Sequence, residues 1–316
     1  MDEFALIRRY FSGGGVVRDD TLLGIGDDAA VLHVPEACEL VVTADNLVSG
    51  VHFPAGLDPY AVGYRALAAN LSDLAAMGAE PAWVLLSLTL PTADEHWLAE
   101  FARGFFAVAA RFNIALVGGN LARGPLNVAI TAHGLVPAGK ALTRNGARAG
   151  DAVFVTGHPG DAAAGLKQIQ SGTFDMDDAC VRRFCHPEPR VAAGIALRDI
   201  ASAMIDVSDG LLADLAHLLE ADALGATLEL ANLPLSARLI ELHGMEAARQ
   251  LALTGGDDYE LCFSMPEARV PELQAGLAVC GCIVTRIGGM DAEPGLRLRD
   301  QHGDVRPAAA TGYRHF

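Results

Sequence analysis

Pro137-Ala138-Gly139-Lys140, followed shortly by Arg144-Asn145-Gly146-Ala147-Arg148-Ala149-Gly150, divides the chain. Glycine and arginine punctuate this stretch and no apolar period runs through it, so it reads as a linker. On either side, strand and helix signals alternate. The sequence therefore predicts two α/β domains meeting near residues 137–150. A length of 316 residues suits that reading, because single hydrophobic cores stop growing at about 250–300 residues.

Before the linker, short apolar runs at 40–43, 83–90, 114–117 and 126–136 read as strands, the first of them buried. Residues 60–78 are rich in Ala and Leu at helical spacing, and Gly78 suits the C-cap. Thr92 and Glu95 have capping-box spacing, opening a helix that reaches about Phe112. After the linker, strands are expected at 152–156, 203–207, 226–230, 259–264 and 282–287, with helices at 161–170 and 210–220.

Composition removes several classes of function. The 51% of hydrophobic residues supply sizeable cores and argue against disorder. The longest apolar stretch is far too short to cross a bilayer. Net charge is −16, which repels nucleic acid and anionic lipid, so neither is expected as a partner. The opening Met1-Asp2-Glu3 lacks the basic-then-apolar pattern of an export signal. Six scattered cysteines, none in a C-x-x-C pair, fit free thiols in a reducing cytoplasm.

Acidic residues gather at places where elements end. Asp27 and Asp28 follow Gly26, Thr43 and Asp45 close an apolar strand, and Asn70 and Asp73 share one helix face. Asp206-Val207-Ser208-Asp209-Gly210 joins a strand to a helix. Carboxylates at strand ends can serve a hard cation such as magnesium, which prefers oxygen ligands and phosphate. Each cluster also has a plain explanation. Asp27-Asp28 fits a polar turn, and Asp206 and Asp209 fit helix caps. Asp73 is harder to explain away, because Leu71, Leu74 and Met77 leave it little polar face and a buried carboxylate needs a partner. The joint presence of all the clusters favours cation binding.

Familiar nucleotide motifs are missing. Residues 134–141 approach a P-loop but carry Ala141 where Ser or Thr should meet magnesium. Gly118-Gly119 offers a backbone that can approach a phosphate, or simply a turn. His52 stands alone, and no serine elbow supports nucleophilic catalysis.

Taken in order, the motifs resemble the thiamine-monophosphate kinases. They are Gly24-Ile25-Gly26-Asp27-Asp28-Ala29-Ala30, Asp45 through Gly50-Val51-His52-Phe53, and Asn70-Leu71-Ser72-Asp73-Leu74-Ala75-Ala76-Met77-Gly78. Leu142-Thr143-Arg144, Ile205-Asp206-Val207-Ser208-Asp209-Gly210-Leu211 and Gly255-Gly256-Asp257-Asp258-Tyr259-Glu260-Leu261 complete the set. The resemblance implies an α/β (α+β) fold of the aminoimidazole-ribonucleotide-synthetase-like type, with a mixed sheet and flanking helices in each domain. It implies an ATP- and magnesium-binding, dimerising domain over 1–139 and a second domain over 140–316 that completes the active site.

The implied reaction moves phosphate from ATP to thiamine monophosphate in a homodimer. The implied magnesium ligands are Asp28, Thr43, Asp45, Asp73, Asn120, Asp206 and Asp209. Gly119, Asn120, Arg144 and Ser208 would contact ATP, His52 and Asp257 the thiamine phosphate, and Asp73, Asp209 and Arg144 would carry catalysis. Three departures stand out. Asn120 replaces an acid, Asp257 replaces a glutamate, and Ala310 lies where an aromatic residue often stacks on the substrate. They leave open another phosphorylated acceptor, or a nucleotide-binding protein without turnover.

Overall fold

The computed structural model describes residues 2–277 and 280–313. The chain forms two compact units, Met1–Leu74 with Ala79–Gly139 and Ala75–Gly78 with Lys140–Phe316.

The first unit runs α1 (Glu3–Tyr10), β1 (Thr21–Leu23), β2 (Val31–Leu32), β3 (Cys38–Val48), α2 (Pro59–Ala76), β4 (Glu80–Leu90), α3 (Glu95–Arg111), β5 (Ala115–Arg123) and β6 (Asn127–Pro137). Its main sheet has the order β3-β6-β4-β5. All neighbours are antiparallel except β4 and β5, which are parallel. Alternation along β6 buries Val128, Ile130, Ala132 and Val136 on one face. Helix α2 reaches that face, because a Cβ on Gly134 of β6 would touch the Leu74 side chain. The helix is apolar nearly all round and correspondingly buried, with Ala66, Leu67, Leu71 and Leu74 inaccessible. On the other face, Ala30, Leu32 and Val34 pack against Trp83, Ala115 and Val117.

Helix α2 ends as its sequence suggests. Gly78 takes φ 65. Its N–H donates to Ala75 O at 2.9 Å, and Ala79 N–H donates to Leu74 O at 2.8 Å, the paired bonds of a Schellman end.

Two elements differ from what the sequence predicts. The first strand is not a short buried run but the 11-residue edge strand β3. Its even positions face outward, leaving Leu40 44% and Val42 54% exposed. The α3 cap is Asp94 rather than Thr92, and its carboxylate accepts from the N–H groups of His96 and Trp97 at 2.9 and 3.0 Å. A carboxylate beside the first turn also suits the helix dipole.

The second unit runs β7 (Ala152–Thr156), α4 (Asp161–Gln170), α5 (Ala179–Cys185), α6 (Val191–Leu197), β8 (Ala203–Val207), α7 (Leu211–Asp222), β9 (Gly225–Glu229), α8 (Ala237–Thr254), β10 (Glu260–Met265), α9 (Val270–Leu277), β11 (Val284–Asp291), β12 (Gly295–Arg299) and β13 (Val305–Ala308). Seven strands form one sheet in the order β13-β12-β9-β11-β7-β10-β8. It too is mixed, since β12 pairs with β9 in parallel and its other ladders are antiparallel. Strands β7, β8 and β10 are buried along their whole length, as their largely apolar runs, interrupted by Asp206 in β8 and by Glu260 and Ser264 in β10, lead one to expect. The main core packs Ile205, Val207 and Cys262 against Leu211, Leu215 and Leu218 of α7. Phe154 and Phe263 stack on neighbouring strands, with ring centroids 5.4 Å apart.

Candidate functional site

In the first unit, β3 and α2 present the acidic groups. Thr43, Asp45 and Leu47 alternate along β3 on the face turned toward α2. The Thr43 hydroxyl donates to Asp73 Oδ2 at 2.6 Å, so strand and helix residues meet directly. Asp73 remains partly exposed in a helix whose neighbouring positions are buried. Asn70, one turn earlier, is fully buried and donates to Ala66 O at 3.0 Å. Its Oδ1 has no hydrogen-bond partner among the described residues.

The remaining first-unit residues lie on loops and on β5. Asp28 sits on an exposed turn between β1 and β2, where its N–H donates to Asp27 Oδ1 at 2.9 Å. His52 follows β3 in a turn, and its Nδ1 accepts the Val48 N–H at 2.9 Å. That bond leaves Nε2 as the ring's proton-bearing nitrogen. Gly118 and Gly119 lie inside β5, not in a turn after it. Gly119 takes φ 148, and a Cβ there would run into the Leu86 carbonyl oxygen of β4. A register shift at Val84/Leu85 accompanies this close approach. Asn120 stands beside Ser87 and is exposed. The P-loop-like run begins inside β6, which removes it as a phosphate loop.

In the second unit, the chemistry gathers at the end of β8. Asp206 lies in the strand at 5% exposure, on the opposite side from Ile205 and Val207. Ser208, Asp209 and Gly210 form the turn into α7 and are only partly buried at Ser208 and Asp209. Asp257 packs beside this turn, its N–H donating to Ser208 O at 2.8 Å. Both Asp257 (φ 68) and Tyr259 (φ 51) hold left-handed backbone conformations, and the Tyr259 hydroxyl donates to Asp257 Oδ1 at 3.3 Å. Strained non-glycine residues of this kind gather at functional sites. Arg144 is exposed on the segment before β7. That segment is pinned on both sides of it: Thr143 O accepts the Met204 N–H at 2.9 Å, and Asp222 Oδ2 accepts those of Gly146 and Ala147 at 2.7 and 2.8 Å.

Three carboxylates that sequence reasoning passed over organise these segments. Asp214 Oδ2 accepts the N–H groups of Ser208, Asp209 and Gly210 at 3.0, 3.1 and 3.0 Å. Burial pushes the Asp214 carboxyl up to about 6, against the pull of those N–H groups. Asp258 is fully buried and caps the start of α4 by accepting from Gly160 and Ala162 at 2.6 and 3.2 Å. Glu260, also fully buried, is bridged by Arg183 and by Arg190, whose Nε and Nη2 lie 2.6 and 2.7 Å from it. Asp258 and Glu260 stood in the Gly255–Leu261 motif without a role, and Asp214 could be placed by its position in the first turn of a helix that opens with glycine.

The donor set of both units is oxygen throughout, which suits a hard cation. Among the described residues no three His, Cys, Asp or Glu side chains form a ready cage. Magnesium needs none: it takes one or two carboxylates, keeps several waters and completes its shell with phosphate oxygens. The Thr43–Asp73 pair and the carboxylates flanking Ser208 fit that pattern.

Residues 26–136 match the AIR synthase related protein N-terminal domain, and residues 148–301 match its C-terminal domain. The thiamine-monophosphate kinase of Escherichia coli strain K12 is 46% identical over 320 residues, spanning 99% of this chain and 98% of that one. The chain belongs to the thiamine-monophosphate kinase family. The crystal structure of thiamine-monophosphate kinase from Stenotrophomonas maltophilia K279a superimposes with a TM-score of 0.85 at 46% identity, covering 89% of this chain and 92% of that one. AaThiL complexed with AMPPCP and TMP gives a TM-score of 0.80 at 31% identity, covering 92% of each chain. The thiamine-monophosphate kinase family thus accounts for the α+β fold with a mixed sheet in each unit.

Proposed function

We infer that this chain phosphorylates thiamine monophosphate with ATP, giving thiamine diphosphate and ADP. One observation carries the reading. AaThiL, similar over 92% of this chain, binds both AMPPCP and TMP. AMPPCP is an ATP analogue whose β–γ bridge is a methylene group, and it resists the transfer that ATP undergoes.

The chemistry suits the residues. The acceptor is a phosphate oxygen, already anionic at neutral pH, so no strong base is needed. The obstacle is repulsion between two polyanions. Asp28, Thr43, Asp45, Asp73, Asp206 and Asp209, with the Asn120 carbonyl, are the groups we assign to hold magnesium. When bound, magnesium supplies charge neutralisation and alignment of the phosphates. Arg144 adds a positive charge on a pinned segment. Ser208 and the Gly119 backbone are assigned to ATP, and His52 and Asp257 to the thiamine phosphate. In His52 the Nε2 proton is the one offered to an anion, because Nδ1 is engaged by Val48.

A homodimer and a cytoplasmic setting belong to the same reading. Edge strand β3 exposes Leu40 and Val42, an apolar strip that a second copy would cover. All six cysteines are free thiols. No helix among the described residues is long and apolar enough to cross a membrane.

The test is ADP release by the purified protein with thiamine monophosphate, with and without magnesium. Magnesium-dependent release stimulated by thiamine monophosphate is expected. No stimulation would reject the acceptor, and equal release without divalent ions would reject the metal assignment.

A further inference from the structure

The turn between β8 and α7 engages its backbone polar groups internally. Helix N-termini ordinarily leave free N–H groups that attract phosphate. Here the N–H groups of Ser208, Asp209 and Gly210 all donate to one atom, Asp214 Oδ2, at 3.0, 3.1 and 3.0 Å. The carbonyls of the same residues are also taken. Ser208 O accepts from Asp257 N–H at 2.8 Å, Asp209 O from Tyr313 N–H at 2.9 Å, and Gly210 O from Asp214 N–H at 2.9 Å. Gly210 has no side chain with which to cap α7, and Asp214 does so from inside the first turn. Asp214 is buried, at 4% exposure.

Every polar backbone group of the turn is thereby committed, and only the side chains of Ser208 and Asp209 remain available. We propose that Asp214 is a positioning residue for phosphoryl transfer, the resident anion of the α7 terminus that fixes how Ser208 and Asp209 are presented. With these three amides occupied, the turn meets its ligands through the side-chain oxygens of Ser208 and Asp209 and not through its backbone N–H groups. This rests on the reading of Asp209 as a magnesium ligand. Asp214 touches neither nucleotide nor metal in this account. It acts through the rigidity of the turn, and displacements of about 1 Å at such sites cost as much as about 100-fold in rate.

Asp214→Ala, Asp214→Asn and Asp214→Glu test the proposal, with thermal unfolding followed in parallel. Manganese binding to the protein with AMPPCP, read by electron paramagnetic resonance, reports on the turn without any phosphate transfer. Asp214→Ala is expected to weaken manganese about ten-fold or more and to lower kcat, with a much smaller change in KM for thiamine monophosphate. Asp214→Asn keeps an oxygen that can accept the same N–H groups and should recover manganese affinity to within about three-fold of wild type.

A folded Asp214→Ala with wild-type manganese affinity and kcat overturns the proposal, as does an Asp214→Asn as impaired as Asp214→Ala. If Asp214→Ala does not fold, Asp214→Glu decides. It moves the oxygen by one methylene and is expected to lose about five-fold or more in manganese affinity, and wild-type affinity there is fatal to the idea. A wild type that binds manganese but releases no ADP with thiamine monophosphate counts against the function alone. A wild type that binds no manganese ends both readings.

Discussion

The Thr43 hydroxyl and Asp73 Oδ2 are 2.6 Å apart, joining strand β3 to helix α2 through their polar groups. A carboxylate in so apolar a helix requires a partner, and Thr43 is one. The pair brings the Asp73 carboxylate to the strand face that also carries Asp45. Asp73→Asn keeps the shape and the hydrogen bond but removes the charge. We expect kcat to fall by about 100-fold or more while the melting temperature stays within a few degrees. Near wild-type turnover would remove Asp73 from the metal-binding set.

Asp209 lies on the turn before α7, where its backbone is fully engaged and its side chain is partly exposed. Asp209→Asn is expected to raise the magnesium concentration for half-maximal rate by about ten-fold or more, with little change in unfolding. A magnesium titration of the initial rate measures this. An unchanged midpoint with lower kcat would assign Asp209 to something other than the metal.

Asn120 gives the opposite kind of test. It is exposed on β5 beside Ser87, where an added charge has little to disturb. An amide oxygen is a weaker magnesium ligand than a carboxylate. Asn120→Asp should therefore lower the half-saturating magnesium concentration, by about three- to ten-fold. Weaker magnesium dependence or none would show that position 120 lies outside the metal shell.

Glu260 makes stability depend on acid pH. Burial alone would raise its carboxyl, but Arg183 and Arg190 outweigh burial and hold it below 4.5. A carboxyl with a depressed folded value stabilises the protein above its unfolded value and loses that contribution as pH falls through the folded one. Glu260→Gln should thus be least stable relative to wild type above 4.5, with the gap closing at lower pH. Chemical denaturation over a pH series would show it. A gap independent of pH would mean that the carboxyl is not ionised in the folded protein.

Breaking the same cluster from the other side should cost more than a surface ion pair would. Arg190→Ala leaves Glu260 fully buried with one guanidinium fewer. We expect a loss of about 3–5 kcal/mol, measured by denaturant unfolding. A loss under about 1 kcal/mol would place Glu260 in an environment as forgiving as the surface.

Local rules were enough to read much of this chain from its sequence. The strand Ala152–Thr156, the helix Asp161–Gln170 and the strand Ala203–Val207 follow from predominantly apolar or periodic stretches. Gly78 marked the end of α2 because few other residues accept its left-handed conformation. The acidic clusters and their order pointed to phosphate chemistry with a divalent cation. The length of β3 was not legible, because its outward positions are mostly apolar (Leu40, Val42, Ala44) while the face toward α2 mixes Glu39, Thr43 and Asp45 with Val41 and Leu47, the reverse of a half-buried strand's pattern.

Partnership was what only the tertiary structure decided. Asp73 needed a hydroxyl from a strand 30 positions away, and Glu260 needed arginines 70 and 77 positions away. Asp214 looked like one more helical acid until its oxygen was seen to gather the amides of the preceding turn. Patterns in sequence report which face of an element is apolar, since that depends on neighbours a few residues apart. Which buried charge meets which donor depends on contacts that close only when the sheet and helices have packed.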